Sequence, residues 1–239
     1  MNDLVLVGGL ATSALAVAAL ASRGRGWRLL LALICLAVIV GGLSLLIEAV
    51  AFGVLTLEQG GAALLSTTTM GLAWSVLAVV VTGRFLGQSE PAARLRITLL
   101  RLAGVVAAYI VLYLVAGMLA YPHVKAYYAD LRLPGMPELL GLQIVRSLLI
   151  ALALAPLLRL RLRWPELVAG LLLAVVGGIA PLAGSSGGMP EAVRLVHTIE
   201  VGISNFLFGV VIAWLLKPGA QEKAPAVAGE GQFSGVSAA

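Results

Sequence analysis

Residues 23–28 read Arg-Gly-Arg-Gly-Trp-Arg and stand between two apolar runs, 4–22 and 29–54, each long enough to cross a bilayer. Farther along the chain the same concentration of positive charge returns. Arg84, Arg94 and Arg96 fill the third gap between apolar runs, Arg159, Arg161 and Arg163 the fifth, and Lys217 and Lys223 follow the last run. The alternate gaps hold few. Lys and Arg accumulate on the cytoplasmic side of short membrane loops, so this rhythm predicts a polytopic membrane protein together with its orientation.

Composition agrees. The chain is 61% hydrophobic and 11% charged, with a mean hydropathy of +1.05, whereas soluble domains carry roughly a quarter charged residues. A water-soluble fold is excluded. With 239 residues there is room for about seven spans of about twenty residues and almost no extramembrane domain. The formal charge of +5 would suggest nucleic acid in a soluble protein. Here it is spread over the loops that orientation requires, so no nucleic-acid partner is expected.

The expected spans are about 4–22, 29–54, 61–83, 98–121, 139–158, 167–184 and 192–216. They are helices because hydrocarbon offers no partner to unpaired backbone groups, and the runs lack the alternation of barrel strands. The fold class is therefore all-α: a transmembrane helix bundle with the N-terminus outside and the C-terminus inside, in the cell membrane. Residues 1–217 form a single domain in this reading. The Ala/Gly/Pro/Ser-rich stretch 218–239 is a disordered cytoplasmic tail. Ala19-Leu20-Ala21 resembles a signal cleavage site, but Asp3 precedes the first apolar run and Arg23 and Arg25 follow it, the reverse of a signal peptide's polarity. In this topology twelve of the sixteen Lys and Arg residues lie inside, while Lys125, Arg132 and Arg194 lie outside and Arg146 lies within the fifth span. Trp27, Trp164 and Trp214 sit beside the inner basic loops, at the headgroup level that amphipathic rings prefer.

Gly8-Gly9, Gly41-Gly42 and Gly177-Gly178 interrupt three spans with paired small residues, which permit close helix packing. No internal repeat is recognised. The segment 122–138, bounded by Pro122 and by Pro134 and Pro137, suits a short interfacial helix that covers the bundle or acts as a lid.

No motif identifies a substrate or a reaction, so the functional signal rests on polar residues within spans, which are expensive there. Four are ionisable: Glu48 in span two, Arg146 in span five, and His197 and Glu200 in span seven. Gln143 accompanies Arg146. On span seven, Arg194, His197, Thr198, Glu200, Ser204 and Asn205 fall within one arc of about 160° at 100° per residue.

Depth unites them. At about 1.5 Å per residue, Arg146 lies roughly 10 Å, His197 roughly 8 Å and Glu200 roughly 12 Å below the outer boundary. Glu48 ascends from the inner side by about 28 Å and reaches the same layer. The expected ligand-binding set is Glu48, Gln143, Arg146, Arg194, His197, Glu200 and Asn205. They would line an outward-facing pocket for a small polar or anionic ligand, with Arg146 as counter-charge and His197 as proton acceptor.

Three functions fit: binding or transport of a small solute, ion or proton; a non-catalytic accessory or assembly subunit; and an intramembrane hydrolase or transferase using His197 and Glu200. The bilayer is the expected environment, and a homo-oligomer or a membrane-complex partner is compatible with every reading. Metal is disfavoured because His123 and His197 are the only histidines, and the lone Cys35 lies mid-span. Ser185 and Ser186, in Gly-Ser-Ser-Gly-Gly, read as a turn rather than as nucleophiles. Phosphate-binding glycine loops, haem-binding histidine pairs and a retinal-binding lysine are missing from the sequence, and no cofactor is expected.

Overall fold

The computed structural model describes residues 3–129, 131, 133–184 and 189–218. Seven of its helices are long and apolar enough to cross a membrane: α1 (Asp3–Ala21), α2 (Gly26–Ala51), α3 (Leu57–Val81), α4 (Leu99–Tyr128), α5 (Met136–Leu158), α6 (Pro165–Ala183) and α7 (Glu191–Leu216). No strand forms among the described residues. The chain is thus an all-α, multi-pass membrane protein. The tail assigned to 219–239 lies outside the described residues, as do Ser185 and Ser186.

The helices turn large side chains outward. Leu57, Leu99 and Leu100 are each more than 80% exposed, a surface that water would penalise and lipid accepts. Small, aliphatic and aromatic residues from every helix meet inside, among them Leu15, Leu33, Ala78, Val105, Leu154, Leu172 and Phe208. The most intimate pair is α6 with α7. A side chain at Gly209 would collide with the Ala169 carbonyl oxygen and come within 2.7 Å of the Gly170 nitrogen, so only glycine allows these backbones to touch.

The glycine pairs of α2 and α6 have a sharper role than small size. Both helices widen into a π turn there, over Ile39–Leu43 and Val175–Ile179, whose sequences are Ile-Val-Gly-Gly-Leu and Val-Val-Gly-Gly-Ile. The two turns face each other: a Cβ on Gly41 would meet Val176, and one on Gly177 would meet Val40 at 2.8 Å. This local match is confined to two of the three helices that start after a basic loop, α2 and α6, and it is too short to register as a sequence repeat. A π turn re-aims every following residue and is common at functional sites. In α2 the residues it re-aims are Ser44 and Glu48.

At one end of the bundle the basic loops are stitched together. Arg23 N donates to Leu160 O (3.1 Å), Arg163 N to Ala21 O (2.8 Å), Ala93 N to Arg159 O (2.8 Å) and Gly26 N to Arg84 O (2.8 Å). Arg25 N donates to Ser89 Oγ at 2.7 Å, and Ser89 Oγ donates back to Arg25 O at 2.6 Å. Arg28 and Arg163 lie over Trp27 and Trp164. The three arginine-rich gaps therefore occupy one end, as the charge rhythm requires.

One element departs from expectation. The segment after 121 does not begin a separate interfacial helix; α4 runs through Pro122 as one helix of 30 residues to Tyr128. Proline breaks helices in water mainly by costing a backbone hydrogen bond, a loss that neighbouring groups offset in membrane helices. The extra turns carry Tyr127 and Tyr128 over the end of the bundle opposite the arginines.

Candidate functional site

A cavity of about 400 Å³ opens at that opposite end and descends between α2, α4, α5, α6 and α7. Val54, Leu131 and Met189 mark its loop level, and Tyr109, Gly177 and Asn205 its floor. Four ionisable side chains line it: Glu48, Arg146, His197 and Glu200. Three helices thus deliver to one cavity the charges that depth arithmetic places in one layer.

Arg146 sits deepest in protein, with 7% of its side chain exposed, and its Nη1 lies 2.8 Å from Glu48 Oε1. The same Nη1 donates to Gln143 Oε1 at 3.1 Å, and Nε donates to Ser44 Oγ at 3.2 Å. Its guanidinium also stands 5.8 Å from the centre of the Tyr109 ring. These contacts follow from helical spacing: Gln143 precedes Arg146 by three residues, and Ser44 precedes Glu48 by four, so each pair shares a face. Gln143 is buried and outside the cavity wall, and its Nε2 has no partner among the described residues. Flipping its amide would set donor against donor at Arg146, so the arginine fixes its orientation at the expense of one unpaired donor.

The second group is a chain of three. His197 Nδ1 lies 2.8 Å from Glu200 Oε2, and Tyr128 Oη lies 3.1 Å from His197 Nε2. A carboxylate only accepts, so Nδ1 carries its proton toward Glu200, and Nε2 shares the second hydrogen bond with the tyrosine hydroxyl. Tyr128 packs edge-on to the imidazole, with Phe52 and Tyr127 beside it.

The floor is set by the α6 π turn. Asn205 Nδ2 donates to Gly177 O at 3.1 Å, a carbonyl positioned by the wider turn to accept a side chain. A Cβ on Gly177 would lie 3.2 Å from that Nδ2 and crowd the bond.

The expected residues divide. Glu48, Arg146, His197, Glu200 and Asn205 line the cavity, and Gln143 supports it through Arg146. Arg194 stands apart: its Nη1 donates to Gly184 O at 3.2 Å, and it lines a separate recess with Glu191, Leu195 and Thr198. The polar arc of α7 is too wide to be one surface, and residues 191, 194, 195 and 198 form their own stripe at helical spacing.

The sequence reading omits Ser44, Phe52 and the tyrosines of the wall, Tyr109, Tyr113, Tyr127 and Tyr128. A signal for the last group is present, since all five tyrosines of the chain fall between 109 and 128. Tyr109 and Tyr113 are one turn apart, and the aromatic pair Tyr109–Phe208, centroids 4.5 Å apart, anchors α4 on α7.

Among the described residues, no three His, Cys, Asp or Glu side chains form a metal-ligand set. No protein-family model, characterised protein sequence or solved structure matches the chain.

Proposed function

We propose that the chain is a multi-pass protein of the cell membrane that binds, and moves, a small solute through this cavity. The observation that carries the reading is the convergence of Glu48, Arg146, His197 and Glu200 on a space that reaches the loop level. Burying ionisable groups in a bundle costs several kcal/mol in aggregate, at about 2.5–3.5 kcal/mol for each centrally placed charge. Interhelical polar pairs return only about 0.6 kcal/mol each. A wet, ligand-binding cavity lowers that cost, and a purely structural cluster does not. With the arginine-rich end in the cytoplasm, as Lys and Arg bias dictates, the cavity opens outward. His197 then offers an oriented imidazole, with Glu200 and Tyr128 as its partners, for taking up or passing on a proton.

A second reading, a non-catalytic accessory subunit, draws support from the Arg146 network, whose contacts to Glu48, Gln143 and Ser44 are made within the chain. Native mass spectrometry after gentle extraction separates the two. A small molecule retained by the wild type and lost in Glu200→Gln supports the solute site. A stoichiometric protein companion, with no small molecule in either sample, supports the subunit.

A further inference from the structure

The identity of the solute can be narrowed by asking which polar groups of the cavity remain uncommitted. Arg146 is nearly sealed and already faces Glu48, Gln143 and Ser44. To meet an anion through Nη1 it would have to give up or share the half-buried Glu48 carboxylate. The carboxylates differ. Glu48 gives Oε1 to Arg146 and Glu200 gives Oε2 to His197, while Glu48 Oε2 and Glu200 Oε1 have no partner among the described residues. Arg146 is matched by Glu48, whereas Glu200 faces no guanidinium or ammonium group among the described residues. The cavity wall adds the rings of Phe52, Tyr113, Tyr127 and Tyr128, whose faces attract cations.

A second chamber, of about 430 Å³, adjoins the first. Phe52, Tyr113, Tyr128, His197 and Glu200 line both, so the uncommitted carboxylate stands at the seam. The remainder of the second wall is mostly apolar, with Leu114, Met118, Val124, Leu133 and Leu139 from α4, α5 and the loop between them beside Tyr121. Met118 is 68% exposed on the bundle's exterior, which puts this chamber beside the lipid-facing surface. Acceptor-rich aromatic space on one side of Glu200 and greasy space on the other describe the two ends of one kind of molecule.

From this arrangement we infer that the solute is a lipophilic organic cation, its positive centre held at Glu200 among the rings of Phe52, Tyr113 and Tyr128 and its apolar body lodged in the second chamber. The inference rests on the solute site proposed above and specifies its chemical class. An anionic or purely polar solute would leave Glu200 repelling it and the apolar chamber unused.

Two probes of matched size and opposite charge test this: tetraphenylphosphonium and tetraphenylborate. Each is equilibrated by dialysis against the full chain in nanodiscs of zwitterionic lipid, with empty nanodiscs subtracted. The phosphonium should bind saturably and the borate should not. Glu200→Gln should weaken phosphonium binding about tenfold, the loss expected when a partly desolvated charge partner is neutralised, and Glu166→Gln, at the opposite end, should leave it unchanged.

Phosphonium uptake no greater than that of empty nanodiscs overturns the assignment, as does equal binding of the borate or indifference to Glu200→Gln. The wild-type comparison of the two probes stands even if a variant fails to fold. If the phosphonium fails while native mass spectrometry still finds a solute that Glu200→Gln releases, the site survives and the cationic class falls. If both fail, the solute reading itself falls.

Discussion

Two acid–base pairs face the same cavity, and they are built in opposite ways. Arg146 and Glu48 join α5 to α2 across the bundle, with the arginine sealed and supported by Ser44 and Gln143. His197 and Glu200 belong to one helix, three residues apart, and reach only Tyr128 beyond it. The first pair ties helices; the second presents an oriented imidazole and a carboxylate at the meeting of two chambers. A charged pair within a membrane protein is therefore no single signal. Whether it holds the fold or serves the cavity depends on how many of its hydrogen-bonding positions the protein already fills.

The contrast is broken most forcefully at Arg146. Arg146→Ala leaves Glu48 without its counter-charge and should cost about 3–5 kcal/mol, the range for breaking a buried pair. Thermal unfolding in mild detergent would show a large loss of Tm or no folded yield. The double substitution Arg146→Met with Glu48→Met should regain most of that stability, since two apolar residues replace two charges. If the double variant is as unstable as Arg146→Ala, the pair does more than neutralise itself.

At the other pair the effects on stability should be small. Tyr128→Phe deletes one interhelical hydrogen bond and should cost about 0.6 kcal/mol. Glu200→Gln keeps a hydrogen-bond acceptor for His197 Nδ1 and should unfold within a few degrees of the wild type while losing its solute. A collapse of Tm in either variant would make the second pair structural, like the first, and erase the contrast.

How much of this was legible in sequence follows the same division. Hydrophobic length and arginine spacing locate every span, because the bilayer enforces both and little else competes. The start of α2 at Gly26 and the reach of α4 to Tyr128 were harder. The bundle, not the local sequence, decides whether glycine or proline ends a membrane helix. In the cavity, helical depth brings Glu48, Arg146, His197 and Glu200 to one layer without any knowledge of packing. Depth says nothing of azimuth, so it groups Arg194 with residues that it does not join, and it passes over Tyr113 and Tyr128, whose clustering in sequence is their only mark because aromatic residues on a span carry little cost. The π turns that re-aim Glu48 and expose the Gly177 carbonyl were visible only as glycine pairs.

A solute site of this kind requires that water reach the cavity from outside the cell. Ser204 lines its wall, and Cys35 is the only cysteine in the chain, so a Cys35→Ala, Ser204→Cys protein carries one reporter thiol. Its reaction with membrane-impermeant methanethiosulfonates on intact cells should proceed readily, and faster with a cationic reagent than with an anionic one of similar size. A thiol that is inert from outside, or that reacts only from the cytoplasmic face of inverted vesicles, would contradict it.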